Sequence, residues 1–255
     1  MALLYSKKKN DDHYEVRSHG NTVRLYKNGV CHSDYNPVKL FNGAVWDLMF
    51  VSLFSSRKLN KKLSDGRKMK ILVLGVGGGN IIHTINRFVK NAEITAVDLD
   101  SLNLFVAKKY FGLNYINCEL ITGDAFNFLL KTTKKFDFVI DDIFTENKSE
   151  PCRALPFDKR WFNLIWKCLN KSGTHIINMA DYSEFKASEI YTQKEWLKNR
   201  LHLSYLKSPK CENAVFVFSR DIISRQEIAS NLRGLKIWPL KKSRAYPQFR
   251  IRSIN

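Results

Sequence analysis

The sequence predicts an α/β protein built on a doubly wound, mainly parallel sheet, with a small β-domain at its N-terminus. Two patterns carry this. The first is Lys70-Ile71-Leu72-Val73-Leu74-Gly75-Val76-Gly77-Gly78-Gly79-Asn80, an apolar run that breaks into glycines and resumes as Ile81-Ile82-His83-Thr84-Ile85. It reads as a buried strand, a tight turn and a helix. The second is the alternation of strand-like and helix-like segments with short turns downstream, the mark of parallel strands joined by crossover helices.

Taken in order, residues 14–17, 22–26 and 30–33 alternate apolar and polar side chains and are separated by Ser18-His19-Gly20-Asn21 and Lys27-Asn28-Gly29. The Asn-Gly pair signals a hairpin. Residues 40–59 change to a helical period, with Val45, Leu48, Met49, Val51, Ser52 and Leu53 on a wide face. Trp46 lies there and reads either as core packing or as a substrate contact. Lys61 to Lys70 reads as a polar linker. The expected division is therefore 1–66 for the β-hairpin domain with its connecting helix, 67–220 for a nucleoside-binding domain and 221–255 for a basic extension.

In the middle portion, Gly75, Gly77, Gly78 and Gly79 let the backbone approach a ligand closely and adopt positive φ. The helix start beyond them supplies free N–H groups. Residues 92–100 form a second strand. It delivers Asp98 about 20 residues after the glycines, the spacing at which a carboxylate accepts both ribose hydroxyls, with Leu99 beside it. A third strand, 119–122, runs into Gly123-Asp124-Ala125-Phe126, where Asp124 can accept from an adenine amino group and Ala125 packs nearby. A fourth, 136–140, ends on Asp141-Asp142. Ligands of open α/β sheets bind at this carboxyl edge. Helices are expected at 102–110, 126–131, 160–169 and 189–200, the third closed by Asn170-Lys171-Ser172-Gly173. A fifth strand is expected at 174–179 and an antiparallel hairpin at 203–206 and 214–219. Residues 221–255, with Trp238-Pro239 and Tyr246-Pro247, read as a loosely packed tail.

The order Gly75-Val76-Gly77-Gly78-Gly79-Asn80, Ala96-Val97-Asp98-Leu99-Asp100, Gly123-Asp124-Ala125-Phe126 and Phe136-Asp137-Phe138-Val139-Ile140-Asp141-Asp142 resembles the class I methyltransferase (Rossmann-like) fold. Within that fold it is similar to the spermidine synthase (polyamine aminopropyltransferase) family. Arg24-Leu25-Tyr26-Lys27-Asn28-Gly29-Val30-Cys31-His32-Ser33 resembles the small β-domain of that family. The resemblance implies binding of S-adenosylmethionine or its decarboxylated form as group donor by Gly75, Gly77, Gly78, Gly79, Asp98, Leu99, Asp124, Ala125 and Asp142, without a metal. In the family the fourth strand ends in an Asp that helps deprotonate the attacking amine, and a second Asp further on helps hold the polyamine. Asp142 falls on the first position and Thr145 on the second, so the base is kept and the anchor is not. The family's acidic, His-containing substrate motif is also missing, since Phe41-Asn42-Gly43-Ala44-Val45-Trp46-Asp47 stands in its place.

Asp142 has two readings, a base for the transfer or a loop cap and contact to the methionine-side amine. Its neighbour Asp141 should face the other way, because side chains alternate along a strand. Trp46, Thr145 and Tyr182 are the candidate acceptor contacts. Glu146 and Glu150 read as replacement acids or as solvation of a lid over 145–156.

Composition bounds the rest. A chain of 255 residues with 44% hydrophobic content can bury a sizeable core. It shows no run of 18 apolar residues and no signal peptide, so a cytoplasmic protein without a membrane partner is expected. Cysteines 31, 118, 152, 168 and 211 form no CxxC pair and no His joins them at ligand spacing, which points to reduced thiols. The net charge of +18 raises a nucleic-acid partner. The clusters, around Lys7, Arg57, Arg67, Lys134 and the tail from Arg233, are dispersed in sequence, which favours solvated helix faces instead. The same charge opposes the steering of a cationic polyamine, so only a locally acidic pocket could hold one. The leading expectation is a transferase moving a methyl or aminopropyl group to an amine-bearing small molecule, with a homodimer left open. Cyclisation of the sulfonium is a variant of it. A nucleic-acid methyltransferase would need a basic surface at the Asp142 edge. A non-catalytic binding protein on the same fold is the third alternative.

Overall fold

The structure is a computed structural model that describes residues 1–147, 150–197, 201–221, 224–234 and 249–254. Four antiparallel strands open it: β1 (Ala2–Lys9), β2 (Asp12–His19), β3 (Thr22–Lys27) and β4 (Val30–Tyr35), paired in that order. The Lys27-Asn28-Gly29 turn joins the last two, with Asn28 at φ 50° and Gly29 at φ 81°, as a tight hairpin requires. Strand β1 carries the Lys7 cluster and was not expected from sequence. It is exposed along nearly its whole length, so no burial pattern marks it.

Helices α1 (Val45–Ser52) and α2 (Arg57–Ser64) follow. The second occupies part of the expected polar linker, capped by the Ser56 hydroxyl and burying only Leu59. The chain then enters the main sheet through β5 (Met69–Leu74), α3 (Asn80–Phe88), β6 (Ala92–Asp98), α4 (Ser101–Tyr110), β7 (Cys118–Thr122), α5 (Ala125–Lys131) and β8 (Phe136–Asp141). A hairpin of β9 (Phe144–Asn147) and β10 (Glu150–Arg153) comes next, then α6 (Lys159–Cys168), β11 (Leu169–Met179), α7 (Tyr182–Ala187) and α8 (Glu189–Thr192). The antiparallel edge is β12 (His202–Lys207) and β13 (Ala214–Ser219), followed by α9 (Arg225–Gly234) and β14 (Arg250–Ile254).

The eight-stranded sheet has the order β14-β12-β13-β11-β8-β5-β6-β7. Pairs from β11 to β7 are parallel and the three edge strands antiparallel. Alternation along the buried strands splits the core in two. Ile71, Val73, Phe138 and Ile140 face one layer with α1, while Leu72, Leu74, Val139 and Trp161 lie in the other. This is the class I methyltransferase arrangement, with an N-terminal antiparallel sheet.

Two expectations are corrected. The helix expected over 189–200 is cut to α8, which Ser188 caps and which ends at its C-cap Gln193, and a short 3-10 turn over Lys194–Trp196; residues 198–200 lie outside the described set. Residues 221–255 are not a loose tail where described. Ile228 and Leu232 of α9 are buried in the core, and β14 pairs with β12 over five residues. Basic side chains in this segment cover its short apolar period. Trp238-Pro239 and Tyr246-Pro247 lie outside the described residues.

Removing the Leu232 side chain should therefore behave as a core deletion. Leu232→Ala is expected to lower the unfolding free energy by about 2–4 kcal/mol in urea titration, whereas a loose tail would leave the midpoint unchanged.

Candidate functional site

The carboxyl ends of β5, β6 and β8 converge on a cavity of about 400 Å³. The glycine turn forms its floor. Gly75, at φ 85°, packs so close to β8 that an added Cβ would overlap the Asp142 carbonyl oxygen. The Gly75 amide donates to Val97 O and the Asp142 amide to Leu74 O, at 2.9 and 2.8 Å. Three strand ends are thus laced together at the base of the cavity.

Asp98 holds this turn in shape. Its Oδ2 accepts from the amides of Val76 (2.9 Å) and Gly77 (3.1 Å), and its Oδ1 accepts from the Asp100 amide (2.8 Å) and Asn103 Nδ2 (3.3 Å). Burial pushes its carboxyl up, and the backbone amides oppose that. Asp98 lines the cavity while its oxygens also serve the loop, a second role that the ribose assignment did not include. Leu99 projects from the same strand end, largely exposed, and lines the cavity. Asp124 caps α5 by accepting from the Asn127 amide at 2.8 Å; it and Ala125 line the cavity.

The N-terminal sheet closes the site from above. Ser33 Oγ accepts from the Gly78 amide at 2.6 Å. Asp100 binds both Tyr14 Oη (2.5 Å) and Lys9 Nζ (2.8 Å) while capping α4. His83 stacks on Tyr35 with ring centroids 4.0 Å apart. These contacts place Lys27, Cys31 and His32 on the cavity wall.

The two acids after β8 diverge. Asp141 is wholly buried and clamped by Arg153 Nη2 at 3.1 Å to both oxygens and by Trp161 Nε1 at 2.7 Å. Although burial opposes ionisation, Arg153 and these donors hold its carboxyl below the usual range. Asp142 faces the cavity instead. Burial pushes its carboxyl up to about 6, with Asp141 adding to the rise, while hydrogen bonds from Asn178 and Trp46 and the Arg153 charge oppose it. Asn178 Nδ2 donates to Asp142 Oδ1 at 2.7 Å, and Asn213 Nδ2 donates to Asn178 Oδ1 at 3.1 Å. This chain fixes which way the Asn178 amide points. Arg153 Nη1 also donates to Asn178 O at 3.1 Å, which ties the β9–β10 hairpin to the same strand end.

Trp46 and Thr145 line the cavity beside Asp142. Asp47, next to Trp46, is turned away. It accepts from the Gly43 amide at 2.7 Å, and burial raises its carboxyl to about 7. Gly78 and Gly79 do not line the cavity; they pack against Phe111 and Leu113 and support the turn from behind. Tyr182 is not brought to the cavity either, because it starts α7 and packs on Tyr205 and Phe216, at 5.0 and 5.9 Å between ring centroids. Side chains of Glu146 and Glu150 lie outside the described set. Asn178, Asn213 and Arg153 were missed from sequence. The signal for Asn178 was a polar residue in the apolar run of β11; Asn213 left none. Among the described residues no group of three or more His, Cys, Asp and Glu could hold a metal, and no helix is long and apolar enough to cross a membrane.

A glycine turn under a parallel sheet, with acids after its second, third and fourth strands, defines a site of the class I methyltransferase fold. A sequence model of the spermine/spermidine synthase domain matches residues 59–216, and the chain belongs to that family. Spermine synthase of Saccharomyces cerevisiae is 23% identical over 181 residues, which cover 66% of this chain and 58% of that protein. A polyamine aminopropyltransferase of Buchnera aphidicola subsp. Acyrthosiphon pisum is 32% identical over 87 residues, 31% of this chain and 30% of that one. The chain thus matches roughly a third to a little over half the length of these relatives. Spermidine synthase from Thermotoga maritima superposes with a TM-score of 0.63 at 14% identity, covering 89% of this chain and 75% of that one, which shows the fold.

The amide chain makes a direct prediction. Asn178 donates to the charged form of Asp142, so Asn178→Ala should raise the Asp142 pKa further above about 6. A carbon-13 NMR titration of the side-chain carboxyl checks it, and an unchanged or lowered value would mean the bond does not act on the charged form.

Proposed function

We propose that this protein transfers an aminopropyl group from decarboxylated S-adenosylmethionine to the amine of a small-molecule acceptor. The carrying observation is the sign of the cavity. Asp98, Asp100, Asp124 and Asp142 line it, Asp100 being paired with Lys9 at 2.8 Å, against one lysine, Lys27, which is itself paired with Asp12 at 3.0 Å, in a chain of net charge +18. The local field is therefore opposite to the overall one. A ligand carrying sulfonium and ammonium charges without a carboxylate gains more there than S-adenosylmethionine does. The sequence required such an acidic pocket before a cationic substrate could be held.

The donor, when bound, supplies a carbon activated by its sulfonium leaving group, and positioning gives most of the acceleration of an in-line displacement. The residues of this chain do the remainder. Gly75 and Gly77 keep the backbone close to the ligand, Asp98 and Asp124 hold the ribose and the adenine amine, and Trp46 and Thr145 border the acceptor. The acceptor nitrogen forms the new carbon–nitrogen bond as the carbon–sulfur bond breaks, and its proton passes to Asp142. A carboxyl titrating near 6 is ionised at neutral pH yet basic enough to accept that proton. Because the base must be deprotonated, kcat/KM is expected to rise with pH through about 6 and then level.

Calorimetric titration with decarboxylated S-adenosylmethionine, S-adenosylmethionine and methylthioadenosine tests the donor. Tighter binding of the decarboxylated form by about tenfold or more is expected, a gap of about 1.4 kcal/mol; preference for S-adenosylmethionine would move the reading to methyl transfer. Asp98→Ala should cost about 1–3 kcal/mol of that affinity and also lower the melting temperature, since three loop amides lose their acceptor. Asp142→Asn should lower kcat by about 10²–10⁴ with donor affinity nearly kept; equal loss of binding would make it a ligand contact.

A further inference from the structure

Two of the basic clusters that lie apart in sequence, those around Arg67 and Lys134, meet in space. Helices α3, α5 and α6 run back against the parallel strands, so each ends at the amino edge of the sheet, opposite the cavity. There the chain places Lys68 and Lys70 at the start of β5, Lys90 before β6, Lys134 and Lys135 before β8, and Lys171 at the irregularity of β11, all exposed. Contacts across strands confirm the convergence. Asp137 of β8 accepts from Lys62 Nζ of α2 at 2.6 Å, the Lys70 amide of β5 at 2.9 Å and Asn170 Nδ2 of β11 at 3.0 Å. Lys135 Nζ donates to Lys167 O, and Arg220, just past β13, donates to Lys171 O with its guanidinium 5.1 Å from the Trp166 ring centroid.

The acids of this edge are already engaged. Glu93 pairs with Lys68, Glu119 with Lys134, and Asp137 with Lys62, at 2.5, 2.5 and 2.6 Å. Lys70, Lys90 and Lys171 have no ion-pair partner among the described residues. Cations at helix C-termini offset the helix dipoles, which accounts for Lys131 and Lys167. It does not account for cations on the strand starts. Neighbouring strands lie about 4.8 Å apart, so the run from β6 to β13 presents a row of positive charge about 20 Å long.

We propose that this amino edge is a docking surface for the phosphate backbone of RNA, separate from the catalytic cavity. A row suits a linear polyanion, which gains affinity by releasing counterions along its length, better than it suits a flat anionic membrane.

Fluorescence anisotropy with a labelled single-stranded RNA 20-mer tests it, on the full chain across a salt series. Binding is expected to weaken with salt. The triple variant Lys70→Glu, Lys90→Glu, Lys171→Glu should lose at least tenfold in affinity and reduce the log–log salt slope by about two. A control with the same charge change on the N-terminal sheet and its following loop, Lys7→Glu, Lys8→Glu, Lys39→Glu, should stay within twofold of the unmodified protein. The milder Lys70→Gln, Lys90→Gln, Lys171→Gln triple gives the same ordering if the reversals unfold, as checked by thermal midpoint. Equal loss in the control, no RNA binding, or equally tight binding to phosphatidylserine vesicles or polyglutamate would overturn the proposal.

Discussion

The site depends on a buried carboxylate held by backbone amides. Asp98 ends β6 with almost no exposed surface, and an anion there is tolerable only because Val76, Gly77 and Asp100 turn their N–H groups toward it. An unmet buried charge would cost several kcal/mol. The glycine turn must accordingly fold around Asp98, which places Gly75 against the Asp142 carbonyl and sets the floor of the cavity. The same strand end passes into Asp100, which captures Tyr14 and Lys9 and draws the N-terminal sheet over the opening. One carboxylate thereby couples the turn, the Asp142 strand end and the cover.

Adjacent acids at the end of β8 show how strand alternation divides labour. Asp141 faces the inner layer, where Arg153 and Trp161 keep it ionised, and it serves to anchor the hairpin that borders the cavity. Asp142 faces the cavity with a raised carboxyl oriented by an amide chain. The opposed shifts follow from surroundings alone: a guanidinium for one, burial and a like charge for the other.

Much of this was legible in the sequence because the parallel strands are buried on both faces and read as unbroken apolar runs. The glycine turn, the acids at 98, 124 and 142 and the divergence of Asp141 all follow from local pattern. What escaped was long-range. Strand β1 has no buried face to give a period, and β14 is five residues whose place is set by an edge more than forty residues upstream. Asn213 and Arg153 act through partners far along the chain. Tyr182 follows the fifth strand as expected, yet the start of α7 turns its ring into the Phe216 cluster. The lysines were dispersed as sequence and became a row only through the register of the sheet.

Product analysis with decarboxylated S-adenosylmethionine and a panel of primary amines tests the central claim most directly. The account predicts an acceptor that gains one aminopropyl group, one methylthioadenosine released per transfer, and loss of both in Asp142→Asn. Methyl transfer from S-adenosylmethionine, or methylthioadenosine released at the same rate without any amine, would contradict it.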